Sequence, residues 1–555
     1  MRMRLSSLPA PVWLVLATIV CLVPFANKAV HIDDPLFLWT AEQIQRHPFD
    51  FFGFSVNWYG TVQPVGPVFN NPPLAAFFLA LVQALAGSGE VALHLAFLLP
   101  AIGAVLGIFY LAREFTAQPA LAAAFALCTP AFLVASTTLM SDVPMLALWL
   151  WTLVLWERGL KTKSTTKLLA AGFIAGLCVM TKFIGVCVVP LLLVRALLIE
   201  RRAGAWLLAW LVPLAIIAAY EVFTRHRYGQ GLLVTAGLYS SDTRPALEAV
   251  PRKLLVGLVF TGGTLFPLLV FSPLLWSRRW LAGWLAVLAL VFIVLPPAGS
   301  IGVKWTALAQ GAFFGLIGLI AMALTVAHIW RNLDPDTLWL GLWVAGAFVF
   351  CAFFNWTINA RSLLPLVPPL AVIVARGLVR YASTTREPSA WWRLAWPLVP
   401  SVVVALLVAQ ADYALAGTAR TAAYRIGAQY TRSAGTLWFQ GHWGFQYYMM
   451  KSGGVPMDMW ASQLREGDLV AVASTASNTF PLPRDAWRIE DSFELDPTLW
   501  LSTMNAAAGS GFYADDWGPL PFAFGRPAAE QFYVLRITKP IALKPPTATP
   551  PQKRG

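Results

Sequence analysis

Two adjacent carboxylates, Asp33 and Asp34, follow the first apolar run of a chain that is poor in acidic residues. A carboxylate can accept a proton from a hydroxyl or amine as that group attacks an electrophile, and a neighbouring acid can orient the acceptor or raise its partner's pKa. The alternative is that Asp33 is a solvated loop residue or the N-cap of a helix over 35–46, and the dipeptide alone favours this alternative. Whether the pair is a general base therefore depends on what shares its face of the membrane.

A third acid, Asp142, lies in a tight turn expected between two apolar runs, after Ser141 and shortly before Pro144. The topology derived below places Asp142 on the same outer face as Asp33. A functional role and a capping role at the start of a helix are equally supported, and the two roles are compatible.

Two positively charged side chains stand at positions where membrane proteins carry few charges. Lys182 falls between two short apolar half-spans. A lysine at mid-bilayer costs about 2.5–3.5 kcal/mol on insertion scales, so we expect Lys182 to face an outer cavity and an anion. Arg361 stands at the outer end of a span, where arginine is disfavoured, and its guanidinium matches the geometry of a phosphate. The alternatives are a structural ion pair for Lys182 and contact with lipid headgroups for Arg361.

The composition indicates which elements must position these groups. Of 555 residues, 58% are hydrophobic and 12% are charged, which excludes a disordered chain and an ordinary soluble enzyme. Helices satisfy their own backbone groups in lipid, so the chain is predicted to be an all-α polytopic membrane protein. The net charge of +13 comes mostly from short loops, where orientation and lipid headgroups explain it better than nucleic acid. The five cysteines lie in apolar segments without metal-ligand spacing, which is typical of packing residues.

Apolar runs of about 17–25 residues, the length that crosses a bilayer, predict about thirteen transmembrane helices. The first run has no cleavage site after it and is interpreted as an uncleaved helix. Basic residues alternate between the ends of the runs as the positive-inside rule requires if the N-terminus is cytoplasmic, which places the C-terminus outside. We expect the spans near 11–30, 91–112, 119–139, 143–157, 168–181, 184–200, 205–222, 254–276, 280–297, 305–329, 337–354, 362–380 and 394–411.

The expected domains are a transmembrane domain over 1–411, a small extracytoplasmic α/β domain over 412–540 and a disordered tail over 541–555. Within the first domain, the outer loop 31–90 is predicted to contain interfacial helices, and the stretch 223–253 is also expected outside. In the second domain, alternating runs predict strands at 468–473 and 531–537. An aromatic stretch from Trp438 could bind a glycan, although a packed strand and helix is favoured.

Five short motifs follow one another in a fixed order along residues 1–380. They are Asp33-Asp34, Asn70-Asn71-Pro72-Pro73-Leu74, Ser141-Asp142-Val143-Pro144-Met145, Thr181-Lys182, and Ala360-Arg361 with the Ser-Leu-Leu-Pro-Leu-Val-Pro-Pro-Leu that follows. In order and spacing they resemble the polyprenyl-phosphate-dependent glycosyltransferases of the GT-C fold, near the protein O-mannosyltransferases and the lipid A aminoarabinose transferase. Each motif is weak alone, and the five together on one predicted face carry the resemblance.

The resemblance implies a role for each site residue. Asp33 is expected to be the general base that activates the acceptor, with Asp34 beside it as a second catalytic residue. Asp142 is expected to order the pocket, while Lys182 and Arg361 bind the lipid phosphate or polarise the leaving group.

The chain departs from the family pattern at two of these motifs. Asp34 stands where a glutamate is usual, which shortens the side chain by one methylene. Asn71, counted here among the substrate-binding residues, stands where a lysine or histidine often precedes the two prolines. One positive or titratable group is therefore missing, and this bears on the identity of the donor.

The resemblance further implies an inverting transfer of a sugar from a polyprenyl-phosphate donor to a lipid, glycan or protein acceptor outside the cytoplasmic (inner) membrane. The expected partners are membrane lipids, the donor and the acceptor, with no nucleic acid; no cofactor is firmly predicted, and a divalent metal stays open. The alternatives are a multi-pass transporter or flippase and a non-catalytic protein of envelope-polysaccharide assembly. A transporter often carries internal repeats, and none is visible in the sequence.

Overall fold

The structure is a computed structural model that describes residues 9–69, 71–200, 202–242, 250–277, 279–280, 282–284, 286, 305–384, 394–476, 479–497 and 500–544. Most of these residues are helical, and most strands follow residue 430. The helices are α1 (Ala10–Leu22), α2 (Asp34–Arg46), α3 (Val65–Val68), α4 (Leu74–Ala86), α5 (Glu90–Ala112), α6 (Pro119–Leu127), α7 (Pro130–Ser136), α8 (Asp142–Thr162), α9 (Thr165–Thr181), α10 (Val188–Ile199), α11 (Ala205–Tyr228), α12 (Leu232–Asp242), α13 (Val250–Thr264), α14 (Pro267–Leu275), α15 (Trp305–Arg331), α16 (Pro335–Val349), α17 (Val367–Thr384), α18 (Leu398–Tyr430) and α19 (Trp443–Lys451).

The strands are short except for two near the C-terminus. They are β1 (Ser55–Asn57), β2 (Val62–Pro64), β3 (Leu437–Gln440), β4 (Val455–Pro456), β5 (Gln463–Leu464), β6 (Leu469–Ala473), β7 (Trp487–Leu495), β8 (Leu501–Ser502), β9 (Met504–Asn505), β10 (Ser510–Gly511), β11 (Ala523–Phe524), β12 (Glu530–Ile537) and β13 (Ile541–Ala542).

Within the described residues, six helices are long and apolar enough to cross a membrane, or eight if each of two bent pairs is one span. The membrane character of the chain follows from these helices, but the expected count of about thirteen is not confirmed. Several predicted spans form helices of fewer residues than the roughly 20 that a bilayer needs, among them α1, α9 and α10. The predicted span 280–297 and the tail beyond residue 544 lie largely outside the described residues.

Two predicted spans are broken helices. Helices α6 and α7 meet at 66°, and α13 and α14 meet at 85°. The second helix of each pair begins with a proline, Pro130 or Pro267. A proline lacks the N–H that would continue the preceding helix, so the apolar runs 119–139 and 254–276 bend at these points.

The chain divides into two compact units. The membrane unit comprises Met1–Asn27, Asn71–Asp412 and Leu499–Arg526, and the sheet unit comprises Lys28–Asn70, Tyr413–Thr498 and Pro527–Gly555. Helix α18 runs continuously past residue 411. No break in secondary structure marks the expected domain boundary at residue 411. The boundary therefore stays a prediction.

Glycines in the membrane unit allow helices α13 and α15 to cross in close contact. A Cβ at Gly262 would lie 1.8 Å from the carbonyl oxygen of Phe314, and a Cβ at Gly318 would lie 2.1 Å from that of Leu258. Small residues at crossing points let helix backbones approach closely in lipid, where no hydrophobic force drives helices together. The C-terminal segment of this unit packs Phe522 against Phe314, with ring centroids 4.8 Å apart.

The sheet unit contains a five-stranded mixed sheet in the order β4-β3-β6-β12-β7. Strand β3 is parallel to β4 and β6, and β12 is antiparallel to β6 and β7. The strands predicted at 468–473 and 531–537 are β6 and β12, which are neighbours. Val470, Leu535 and Ile537 from these strands are buried in the core of the unit, so the strand-rich C-terminal region agrees with the expected fold class.

The chain after the first helix also belongs to the sheet unit. The backbone N–H of Val30 donates to Tyr448 Oη at 2.8 Å. Further along, Asn57 Nδ2 donates to the carbonyl of Met457 at 3.0 Å, and Gln446 Nε2 donates to the carbonyl of Asn57 at 2.8 Å. The predicted helix after the two adjacent carboxylates is α2. Residues far along the chain therefore hold the segment that carries Asp33 and Asp34.

Candidate active site

Asp142 begins helix α8 of the membrane unit, and its side chain is 1% exposed. The N-cap position is Ser141, and no side chain caps this helix. The capping role considered for Asp142 is therefore wrong. The carboxylate is instead held by two cations from distant parts of the sequence.

The first cation is Lys182, which follows α9. Its backbone is extended (φ −153°, ψ 132°), so the helix stops before it and a short 3₁₀ turn follows. That turn packs tightly, because a Cβ at Gly185 would lie 2.6 Å from the carbonyl oxygen of Cys178. The break aims the side chain at Asp142, and Lys182 Nζ donates to Asp142 Oδ1 at 2.5 Å.

The second cation is Arg361, in an irregular stretch between α16 and α17. This stretch is held by polar side chains; for example, the N–H of Ser362 donates to Asn359 Oδ1 at 2.8 Å. Arg361 Nη1 donates to Asp142 Oδ2 at 3.2 Å and also contacts the sulfur of Met140. The guanidinium is buried, so it does not extend to lipid headgroups as the alternative supposed.

Lys182, Arg361 and Asp142 form one cluster, which we call the cation cluster. The cluster contains two positive groups and one carboxylate, and the side chain of Lys182 keeps 12% of its surface exposed. The structural ion pair considered for Lys182 is real. The cluster also places two cationic groups on one carboxylate, and such neighbouring cations can bind an anion.

The C-terminal segment of the membrane unit supports the cluster from the side of Arg361. The guanidinium carbon of Arg361 lies 4.8 Å from the ring centroid of Tyr513. Tyr513 Oη donates to Asp412 Oδ2 at 2.7 Å, and Thr503 Oγ1 donates to Asp412 Oδ1 at 2.7 Å. Sequence reasoning missed Tyr513 and Asp412. A buried acid at the end of an expected span, which normally has a polar partner, was the available signal for Asp412.

A second set of contacts fixes the stretch that carries Arg361. Asp515 Oδ1 accepts from Thr357 Oγ1 at 2.6 Å and from the N–H of Ile358 at 2.7 Å, and Asp515 Oδ2 lies 3.8 Å from Lys253 Nζ. Desolvation and the adjacent Asp515 carboxylate raise the pKa of Asp516 above its ordinary value. The position of Arg361 is therefore set by a segment about 150 residues further along the chain.

Asp33 and Asp34 belong to the sheet unit and differ from each other. Asp34 is fully buried, and its Oδ2 accepts from the N–H of His31 at 3.0 Å. Asp33 occupies the N-cap position of α2, makes no capping hydrogen bond and is partly exposed. Asp33 therefore stands at the predicted cap position of this helix without a side-chain capping bond. Ile32, just before the pair, has φ 47°, a conformation that costs a β-branched residue about 1–3 kcal/mol.

Asn71 lies in the membrane unit, just before the two prolines that precede α4, and is half-buried. Its Oδ1 is buried and accepts no hydrogen bond in the described part of the chain. The structure thus groups Asp142, Lys182 and Arg361, and it does not place Asn71 in hydrogen-bond contact with them. Across the described residues, no group of three or more His, Cys, Asp or Glu side chains could hold a metal ion.

Residues 70–224 match the sequence profile of the dolichyl-phosphate-mannose-protein mannosyltransferase family. The matched segment contains Asn71, Asp142 and Lys182, whereas Asp33, Asp34 and Arg361 lie outside it. A sequence search of curated proteins finds no significant match. The match agrees with the resemblance predicted from the motifs, and it covers less than half of the chain.

Several solved structures are similar to the chain at low identity. ArnT from Cupriavidus metallidurans bound to undecaprenyl phosphate has a TM-score of 0.48 and 15% identity, over 83% of this chain and 93% of that one. The Archaeoglobus fulgidus oligosaccharyltransferase tethered with an acceptor peptide has a TM-score of 0.47 and 12% identity, over 81% of this chain and 65% of that one. The arabinofuranosyltransferase AftD from mycobacteria has a TM-score of 0.42 and 13% identity, over 95% of this chain and 40% of that one.

Proposed function

We propose that this protein is a glycosyltransferase that moves a sugar from a polyprenyl-phosphate donor to an acceptor outside the membrane, with inversion at the anomeric carbon. The observation that carries the proposal is the cation cluster, in which Lys182 and Arg361 share the carboxylate of Asp142. Two cationic groups side by side suit the phosphate of a lipid-linked sugar, and two of these three residues lie in the segment that matches a family named for such a donor.

The phosphate is held by Lys182 and Arg361 in this mechanism. Its oxygens replace the solvent that reaches Lys182, while Asp142 keeps both cations in place. When the bond between the anomeric carbon and the phosphate oxygen breaks, the phosphate leaves with the electron pair and gains negative charge. The two cations stabilise that charge as it develops, which lowers the barrier more than it stabilises the bound donor. A phosphate ester is already a good leaving group, so no protonating acid is needed.

Asp33 is the general base of the proposed reaction. Its carboxylate takes the proton of an acceptor hydroxyl or amine as the acceptor atom forms its bond to the anomeric carbon, on the face opposite to the phosphate. Asp34 orients the segment around Asp33, since its carboxylate accepts a hydrogen bond from the N–H of His31. The strained backbone of Ile32 and the partial exposure of Asp33 support this division of roles.

We further propose that the protein lies in the cytoplasmic membrane with its N-terminus inside. The cation cluster and the C-terminal strands then face outward, where a polyprenyl-phosphate sugar is available and nucleotide sugars are not. The positive-inside pattern of the basic residues supports this orientation.

The experiment begins with mass spectrometry of envelope glycans and lipids from cells with and without the gene, since a sugar that disappears names the donor and acceptor classes. Transfer is then measured with the purified full-length protein and with Asp33→Asn. We expect transfer to fall by about 10²–10⁴-fold, the usual contribution of a general base. Binding of undecaprenyl phosphate, followed by native mass spectrometry, should stay unchanged.

The matched control is Asp485→Asn, which removes an exposed carboxylate of the sheet unit that pairs with Lys539. This variant should transfer sugar at the wild-type rate. Full transfer by Asp33→Asn would refute the assignment of the base, and an envelope that is unchanged without the gene would refute the transfer itself.

A further inference from the structure

The membrane unit contains a second basic site at the far end of helix α17. A cavity of about 300 Å³ is lined there by ten residues from three helices. They are Leu274, Leu275, Leu324, His328, Arg331, Ile373, Arg376, Gly377, Arg380 and Tyr381. The cation cluster lies near the start of α17, so the two basic sites stand at opposite ends of one helix.

Close helix packing forms the cavity. Helix α14 ends against α17 at Gly377, where a Cβ would lie 2.9 Å from Leu275 Cδ2. The last turns of α15 and α17 bring Arg331 and Arg380 to the same opening, where both are exposed. The arginines therefore converge on one space, an arrangement that the positive-inside rule alone does not predict.

The acids nearest to this cavity already have partners. Asp334 caps helix α16, accepting from the N–H and the hydroxyl of Thr337 at 2.9 Å each. Asp336 lies 2.8 Å from Arg195 and 3.6 Å from Arg376. Within the described chain, Arg331 and Arg380 form no ion pair with a carboxylate, and Arg380 contacts the neutral amide of Asn332 at 2.9 Å.

The rest of the cavity wall is shaped for an amphiphile. Arg376 is fixed in place by hydrogen bonds from Nε to the carbonyl of Phe115 at 2.7 Å and from Nη1 to Thr337 Oγ1 at 3.1 Å. Leu274, Leu275 and Leu324 line the same cavity with apolar surface. A ligand that combines a phosphate with an acyl chain would meet both kinds of surface.

We propose that this cavity binds the phosphate-bearing headgroup of an anionic phospholipid. Arg331 and Arg380 hold the phosphate, Arg376 supports it from the wall, and the leucines contact the start of an acyl chain. Basic pockets between transmembrane helices are a known means of binding anionic headgroups. The site is separate from the cation cluster and does not depend on the glycosyl transfer.

The test uses the purified full-length protein and the double variant Arg331→Gln/Arg380→Gln. Binding of phosphatidylglycerol is measured by native mass spectrometry, beside phosphatidylcholine with the same acyl chains and beside inorganic phosphate. We expect the variant to bind phosphatidylglycerol roughly tenfold more weakly or worse. The variant lacks two basic residues, and each basic residue near an anionic headgroup contributes favourably to the binding free energy. Phosphatidylcholine should bind weakly to both proteins.

The matched control is Arg113→Gln/Arg158→Gln, which removes two arginines that lie over the ring of Tyr110, outside the cavity. The control should bind phosphatidylglycerol like the wild type. Undecaprenyl phosphate, the probe for the cation cluster, should bind equally to all three proteins. Similar losses in both double variants, or equal binding of the two phospholipids, would overturn the proposal. If inorganic phosphate displaces phosphatidylglycerol at a comparable concentration, the ligand of the cavity is free phosphate. That result would overturn the proposal as well.

Discussion

Two ion networks in the membrane unit differ in the number of carboxylates that their cations meet among the described contacts. The cation cluster has two positive groups and one carboxylate. The second network, which we call the balanced network, joins Glu157, Arg195, Asp336 and Arg376, two acids and two bases. Both networks link helices that are far apart in the sequence, so the two networks do not differ in this respect.

The surroundings of the two networks also differ. In the balanced network, Arg195 is 2% exposed and lies 5.3 Å from the ring of Phe115 and 5.1 Å from that of Trp339. Its partner Glu157 is 1% exposed, whereas Asp336 and Arg376 keep 37% and 20% of their side-chain surface exposed. In the cation cluster, Lys182 keeps 12% exposed and both cations meet the same carboxylate. The buried pair of Glu157 and Arg195 fits a structural role, whereas two cations on one carboxylate fit anion binding.

The largest effect is expected from breaking the balanced network. Arg195→Met leaves the buried Glu157 carboxylate without its closest partner, which should cost roughly 3–5 kcal/mol in free energy of unfolding. The measurement is the thermal unfolding midpoint in detergent. The double variant Arg195→Met/Glu157→Leu should recover most of the loss, because an apolar pair replaces the whole ion pair. If Arg195→Met is as stable as the wild type, the balanced network does not have the structural role that the comparison gives it.

A smaller effect, on binding and not on folding, is expected at the cation cluster. Lys182→Gln should weaken the binding of undecaprenyl phosphate by about 10- to 100-fold, since a hydrogen bond to a charged group contributes roughly 1.5–3 kcal/mol. The unfolding midpoint should change little, because Asp142 keeps its ion pair with Arg361. Native mass spectrometry gives the affinity, and Asp485→Asn serves again as the control. Unchanged binding would make the cation cluster a second structural network.

The smallest effect concerns the ring beneath Arg361. Tyr513→Leu should weaken undecaprenyl phosphate binding by about two- to fivefold, since a cation–π contact contributes roughly 0.5–1 kcal/mol. Tyr513→Phe keeps the ring and should bind like the wild type, although it loses the hydrogen bond to Asp412 and should unfold at a lower temperature. Equal affinity in the Leu and Phe variants would show that the ring does not position Arg361.

The sequence predicted much of the local structure and the class of protein. Helix α2, strands β6 and β12 and the resemblance to lipid-dependent glycosyltransferases follow from periodicity and short motifs. Asp142, Lys182 and Arg361 were expected on one face, and the structure brings them into contact; their roles stay predictions. Such local signals are readable because a helix or strand period and a turn motif each span only a few residues.

The remaining features depend on distant parts of the chain. The span count was not confirmed, since Pro130 and Pro267 bend two apolar runs and other runs form helices too short for a full crossing. Tyr513 was expected in a separate domain, but the structure places it over Arg361 in the membrane unit. No periodic pattern near Tyr513 or Arg361 encodes that contact. The contact depends on how the segment around Tyr513 packs against the helices of the membrane unit.

The hydrogen bond from Val30 to Tyr448 has a consequence for biosynthesis. The two residues are 418 positions apart, so at roughly 5–20 residues per second Tyr448 is synthesised on the order of 20–80 s after Val30. During that interval the segment with Asp33 lacks the residues that hold it, although the first helix has already been made. The segment with Asp33, the proposed base, is therefore held in place only near the end of translation, and a truncated chain that inserts correctly into the membrane should still be inactive.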